Sequence, residues 1–328
     1  MEKLSVSTEW AFRGIEATIL ENKELRVVIL HGKGADISEI QYKPYNLNLL
    51  FRNPWGPRRL DEPCPSPVEG QAFRYYTGGG LSDILPNAGE PCIFLGTRFG
   101  LHDETPLLKW SVKNLEKSDE MVSALFAAEL TKYPFSVEKK ISLDRYNRIV
   151  IEESIKNDSK NRLPYSWLIH PTFSNTFANE YATLNMEAKK ISKIGEKEKW
   201  DFPTFLDDDG TIRNFNELPS SNSIVDSTLV VSGLKEGRYV IQNLHLGLSF
   251  ELSWDKERFP YLWYYRSINS PRYPYFGRSS FIALEPCTSR FSGLAKQVEE
   301  GDAPYIDPGK EVKSTITATV TNIRSANY

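Results

Sequence analysis

In the run Leu246-Gly247-Leu248-Ser249-Phe250-Glu251-Leu252-Ser253-Trp254, apolar side chains alternate with small or polar ones from end to end. An extended chain turns successive side chains to opposite faces, so this pattern fits a strand with one face in a core and does not fit the 3.6-residue period of a helix. Ile316-Thr317-Ala318-Thr319-Val320-Thr321 alternates likewise, and the continuous β-branched run Ile149-Val150-Ile151 suits a more deeply buried strand. Turn-forming clusters separate such runs: Asp207-Asp208-Asp209-Gly210, Leu218-Pro219-Ser220-Ser221-Asn222, Lys235-Glu236-Gly237 and Asp307-Pro308-Gly309. Short strands between turns, with no linker, repeat or low-complexity tract among them, predict an all-β protein built as one large antiparallel domain over residues 1–328.

Charge narrows the partners. With 40 Lys+Arg against 43 Asp+Glu and no long cationic block, the counterion-release term that drives non-specific nucleic-acid binding is weak, and no nucleic-acid partner is expected. The N-terminus carries Glu2 and no apolar h-region, and no apolar run approaches the roughly 20 residues that cross a bilayer, so the expectation is a cytoplasmic protein without membrane contact. Cys64, Cys92 and Cys287 are odd in number and widely spaced, which suits neither a disulfide framework nor a zinc site. The Lys/Glu-rich stretch from Glu187 to Trp200 reads as a solvated hairpin or short helix, and Asp207–Gly210 as a turn rather than a calcium loop.

Three segments combine titratable groups with apolar walls beyond what strand packing demands. In Gly78-Gly79-Gly80-Leu81-Ser82-Asp83-Ile84-Leu85-Pro86-Asn87-Ala88-Gly89, the glycines permit close backbone approach and Asn87 offers a donor and an acceptor; His102-Asp103-Glu104 follows. In Trp167-Leu168-Ile169-His170-Pro171-Thr172-Phe173, an imidazole stands at the end of an apolar strand that Pro171 terminates, walled by Trp167 and Phe173 and suited to titrate near neutrality. In Phe281-Ile282-Ala283-Leu284-Glu285-Pro286-Cys287, a carboxylate ends an apolar run, where burial raises its pKa unless a partner compensates. Tyr261-Leu262-Trp263-Tyr264-Tyr265-Arg266 and Tyr273-Pro274-Tyr275-Phe276 add flat apolar faces with polar rims, on which the C–H face of a sugar can rest. His31 and His245, at or in apolar strands, read as structural, and neither Cys92 nor Cys287 has a neighbouring base that would make it a nucleophile.

In this order, the glycine-rich turn leading to Leu85-Pro86-Asn87-Ala88-Gly89, His102 to Glu104 followed by Trp110, Trp167/His170-Pro171/Phe173, and Tyr273 to Ser289 with Leu284-Glu285-Pro286 resemble the aldose 1-epimerase (galactose mutarotase-like) family, in particular a bacterial and archaeal branch of it. The resemblance runs from about Gly78 to Gly309. It implies a large antiparallel β-supersandwich with a sugar lying across the concave face of a broad sheet. It also implies roles: Glu285 as base on the anomeric hydroxyl, His170 as proton donor to the ring oxygen, His102 as a second histidine polarising the sugar, and Asn87 lining the same site. The sequence departs from the family pattern in having no good match, between Gly78 and His102, to the arginine-containing motif of galactose-specific members, and in carrying Asp103 after the first histidine and Cys287 after the Glu-Pro pair.

Anomer interconversion needs one base and one acid, so no cofactor or metal is expected; Glu285 ionised and His170 protonated at the start call for a partly hydrated carboxylate or a compensating partner. A non-catalytic carbohydrate-binding protein holding a sugar on Trp263 and Arg266 is the alternative. A glycosidase would need a second carboxylate, for which Asp83, Asp103 and Glu104 are the candidates.

Overall fold

The computed structural model describes residues 4–63 and 70–324; Cys64 and residues 1–3 lie outside them. Seven strands bear on the site: β1 (Leu81–Ile84), β2 (Phe135–Asp144), β3 (Arg148–Asn157), β4 (Leu168–Ser174), β5 (Val225–Ser232), β6 (Tyr261–Ile268) and β7 (Ser280–Cys287). One short helix, α1 (Ala72–Tyr76), stands beside them.

Two antiparallel sheets share one apolar core. The larger has 12 strands and runs Ser5–Phe12, Ile15–Glu21, Leu25–Leu30, Asp36–Tyr42, β1, β4, β7, β6, β5, Lys190–Lys193, Trp200–Asp201, with Leu47–Asn48 paired to Asp36–Tyr42. The smaller has eight, in the order Ser111–Lys117, Met121–Glu129, β2, β3, Glu311–Asn322, Leu248–Trp254, Arg238–Asn243, Ala182–Asn185. Ile169, Leu262 and Ile282 of the larger sheet meet Phe126, Ile151, Phe250 and Ile316 of the smaller in the shared core. This is the sandwich architecture expected of the alternating pattern.

The period of two holds in detail. Leu248, Phe250, Leu252 and Trp254 are buried with the intervening residues half-exposed, and Ile316, Ala318 and Val320 repeat the pattern. Gly247 is in the turn before its strand, at φ +70°. The run Ile149–Ile151 departs from expectation: Ile149 and Ile151 are buried but Val150 is half-exposed, because β3 alternates along its length and the smaller sheet turns its outer face to solvent. Glu187–Trp200 forms the edge hairpin Lys190–Lys193/Trp200–Asp201 with Ile191 fully buried, and Asp207–Gly210 is a turn. Pro171 does not end its strand; β4 continues to Ser174, with Pro171 facing Leu81 of β1. No helix among the described residues is long and apolar enough to cross a membrane.

Candidate active site

Strand register gathers the site from segments far apart in the chain. His170 of β4 faces Ser82 of β1, and Glu285 of β7 faces Trp263 of β6. Strands β4 and β7 are paired at Leu168–Cys287 and at Thr172–Ala283, and the equal count of residues between these ends sets His170 across from Glu285. Opposed residues of an antiparallel pair share a face. Ser82, His170, Glu285 and Trp263 therefore form one transverse row in the middle of the larger sheet. No ladder pairs are formed between the two paired ends of β4 and β7, where Pro171 and Pro286 lack an N–H to donate.

A cavity of about 500 Å³ opens over this row. His170 Nε2 is 3.3 Å from Glu285 Oε1, and His170 Nδ1 is 3.1 Å from Thr172 Oγ1. Glu285 is 2% exposed, and burial pushes its carboxyl well above the usual range. Burial also lowers the His170 imidazole to about 4. The pocket is thus drier than the mechanism led us to expect, and the imidazole itself is the carboxyl's partner. Both shifts favour an uncharged pair that holds one proton between them.

His102 reaches the same cavity from a loop. Its ring centroid is 5.2 Å from that of His170 and 4.9 Å from that of Phe73 on α1. The Gly89 backbone N–H donates to His102 Nδ1 at 3.1 Å, which makes Nδ1 an acceptor and places the ring proton on Nε2. Burial, then the charges of His170 and Arg74, hold this imidazole well below its usual pKa. It is a fixed neutral N–H donor. Its backbone is at φ +48°, a region that costs a non-glycine residue roughly 1–2 kcal/mol, offset in part by the bond from His102 N to Gly89 O at 3.1 Å.

Trp263 lines the cavity with its ring; its Nε1 is committed to the Ser289 carbonyl at 2.8 Å. Two expected ligands are corrected. Arg266 lies on the opposite face of β6, 3% exposed, stacked over Phe205 and paired with Asp207 at 2.8 and 3.1 Å. It is three positions on from Trp263, an odd offset, so one strand cannot present both to one ligand. Asn87 is fully buried with its amide consumed: Nδ2 donates to Gly100 O (2.7 Å) and Glu90 O (3.1 Å), and Oδ1 accepts from Leu294 N (2.7 Å) and from Cys92 Sγ (3.3 Å). It ties the loops around His102 together and does not line the cavity.

The same parity moves Trp167 and Phe173 into the core, where they pack on Phe259 and Phe250; the ring beside His170 is Phe73, centroids 6.1 Å apart. Of the carboxylates weighed as partners for Glu285, Asp83 faces the core, Asp103 pairs with Lys132, and Glu104 accepts from Thr131 and Lys132. None lines the cavity. His31, bonded to Thr18 Oγ1 at 3.0 Å, and His245 also lie away from it. The Cys287 thiol is buried and pushed up by burial.

Other lining residues belong to the segments set out from the sequence without being singled out there, or lie outside those segments. Thr172 and Tyr265 stand one row from the dyad, Phe281 and Asp226 a further row along. Counting by twos from His170, Trp263 and Glu285 would have found Thr172, Tyr265 and Phe281. Arg74 reaches the cavity from α1, four residues before Gly78, and nothing in its local sequence marks it.

Comparison with solved structures agrees with this architecture. A protein of Klebsiella pneumoniae, described provisionally as an aldose 1-epimerase, superposes with TM-score 0.74 at 12% identity, covering 99% of this chain and 85% of its own. Slr1438 of Synechocystis sp. PCC 6803 gives 0.67 at 17% identity, covering 98% and 100%. A galactose mutarotase-like protein of Lactobacillus casei gives 0.62 at 14% identity, covering 93% and 100%. The fold is that of the galactose mutarotase-like proteins. No curated protein matches the sequence. The family model described as a domain of unknown function, DUF4432, matches residues 12–320, and the chain belongs to that family.

Proposed function

We propose that the protein interconverts the α and β anomers of an aldose or aldose derivative, with Glu285 as base and His170 as acid. The observation that carries this reading is the buried Glu285–His170 pair, 3.3 Å apart on the floor of an open cavity. The solved structures that share the fold include proteins described as mutarotase-like.

With C1 of the sugar over the row, the C1 hydroxyl proton passes to Glu285, the Nε2 proton of His170 passes to the ring oxygen, and the C1–O5 bond breaks to leave an open-chain aldehyde. Rotation about C1–C2 and reversal of both transfers close the ring from the other face, and every proton returns to its origin. Opening leaves Glu285 protonated and His170 neutral, the arrangement that burial favours, so the dry floor stabilises the ring-opened state. Glu285 and His170 each supply about 10²–10⁴-fold by general acid–base catalysis. The His102 Nε2–H serves as a neutral donor to a sugar oxygen, and the Trp263 ring as a surface for the C–H face.

The test is polarimetry or NMR of freshly dissolved α-glucose, α-galactose and sulfonated and 6-phosphorylated sugars with and without protein. Faster equilibration is expected for at least one sugar; bound-state shifts with no acceleration of any would convert the reading to a non-catalytic sugar binder.

A pH profile follows from the dyad. With His170 lowered to about 4 and Glu285 raised, a single shared proton is held from pH about 4 upward until the carboxyl ionises. Below that range a second proton blocks the base, and above it the acid is lost. After subtraction of the spontaneous rate, kcat/KM is expected to fall on the acid side with a midpoint of about 4 and to fall again on the alkaline side where Glu285 ionises. An acid midpoint near that of a free imidazole, about 6.5, would contradict the assigned environment of His170.

A further inference from the structure

Behind the catalytic row, on the core side of the same strands, lies a charged cluster that the proposed chemistry does not use. Asp83 of β1 is 4% exposed and faces Ile169, the residue before His170. Its Oδ1 accepts from Trp167 Nε1 at 2.5 Å, and its Oδ2 is 3.7 Å from Lys139 Nζ on β2. Lys139, 3% exposed, is 3.2 Å from Glu153 of β3, its partner in register. The cluster therefore bridges the two sheets. Its connections also reach the His102 loop. The Asp83 carbonyl accepts from Thr105 Oγ1 at 2.5 Å, the Thr105 carbonyl accepts from Trp110 Nε1 at 3.2 Å, and the Lys139 ammonium sits 5.0 Å from the centre of the Trp110 ring.

Taking ionisable groups out of water is expensive, and buried ion pairs are weak stabilisers when apolar residues could take their place. Such a cluster has a function where it fixes one arrangement among several. Here the Asp83 side chain fixes the segment just before His170, and the backbone carbonyl of the same residue fixes the segment just after His102. We propose that Asp83 is a positioning residue for the site, holding the Trp167–His170 strand and the His102–Thr105 loop in the geometry that brings both imidazoles to the cavity.

Charge balance is consistent with this role. Burial pushes the carboxyls of Asp83 and Glu153 up, Glu153 to about 8, and the Lys139 ammonium opposes the shift of each. Burial opposes the charge of Lys139, but Glu153, Asp83 and Asp36 outweigh it and raise its pKa. Asp36 is itself paired with Lys33 at 2.6 Å. The cluster thus sets the Asp83 carboxyl between an indole N–H and an ammonium.

The kinetic part of the test rests on the proposed function; the spectroscopic part does not. Asp83→Asn keeps the size and one acceptor but removes the ionisable oxygen, and Trp167→Phe removes the indole N–H together with part of the ring. Folded Asp83→Asn is expected to lose about 100-fold in kcat, the scale of a misplacement of roughly 1 Å, with KM little changed. The imidazole nitrogen resonances of His170 should shift in both variants. The double variant should be no slower than Asp83→Asn. Wild-type kcat and unmoved imidazole resonances in folded Asp83→Asn would overturn the proposal. Should that variant fail to fold, unmoved resonances in Trp167→Phe would do the same. If the wild-type protein accelerates no anomerisation, the proposed function fails while the resonances still decide the positioning role.

Discussion

Glu285→Gln is expected to abolish most anomer interconversion, lowering kcat by about 10²–10⁴-fold, while the protein folds as before. The amide keeps the volume of the carboxyl and can still hydrogen-bond to His170 Nε2, 3.3 Å from Oε1, but it takes up no proton at neutral pH. A fold that buries an acid at 2% exposure gains, if anything, from making it permanently neutral, so the thermal midpoint should hold or rise. His170→Asn should lose activity on the same scale. The double variant should lose little more than either single one, because the two groups act as a unit. Polarimetry on purified, folded variants gives the answer, and normal mutarotation by either one would remove that residue from the mechanism.

Arg266→Ala is the opposite kind of experiment: a large loss of stability with no direct effect on the site. The guanidinium is 3% exposed and donates to both carboxylate oxygens of Asp207 and to Ser227 Oγ at 2.6 Å. Burial works to raise the pKa of Asp207, and Arg266, with the Asp208 N–H and Arg213, more than reverses it, so the carboxyl is held below its usual range. Truncating the arginine leaves a carboxylate at 8% exposure with only Arg213, at 3.2 Å, as a cation. The expected destabilisation is about 3 kcal/mol, the lower end of what removing one partner of a buried pair costs. It is to be read from urea denaturation, with KM for the sugar unchanged below the transition. Undiminished stability, or a selective rise in KM, would return Arg266 to the ligand side of the sheet.

Sequence made some parts of this molecule legible and hid others for identifiable reasons. The strand Leu248–Trp254 announces its facing because the smaller sheet has one wet and one dry side. Strands β4, β6 and β7 lie in the middle of the larger sheet and carry long apolar runs, so facing there has to be counted rather than read from polarity. That is why Arg266, with a charge that looked available, was assigned to the sugar although its parity with Trp263 forbids it. Glu285 and His170 stood out for the converse reason, as titratable groups in apolar runs. Asn87 failed on a different count: its sequence shows what an amide can bond to but not that Gly100, Glu90 and Leu294 have already claimed it. Arg74 sits on a helix of five residues with no pattern to mark its direction.

The transverse row of Ser82, His170, Glu285 and Trp263 draws one residue from each of four strands, and each strand contributes through its phase alone. A single-residue insertion or deletion inside any of them would rotate its member into the interior and bring a core side chain out in its stead. Drift in chain length is consequently affordable in the connecting turns and forbidden within these strands. A homologue could differ at nearly every position and still be recognised by the count between each active-site residue and the ends of its strand.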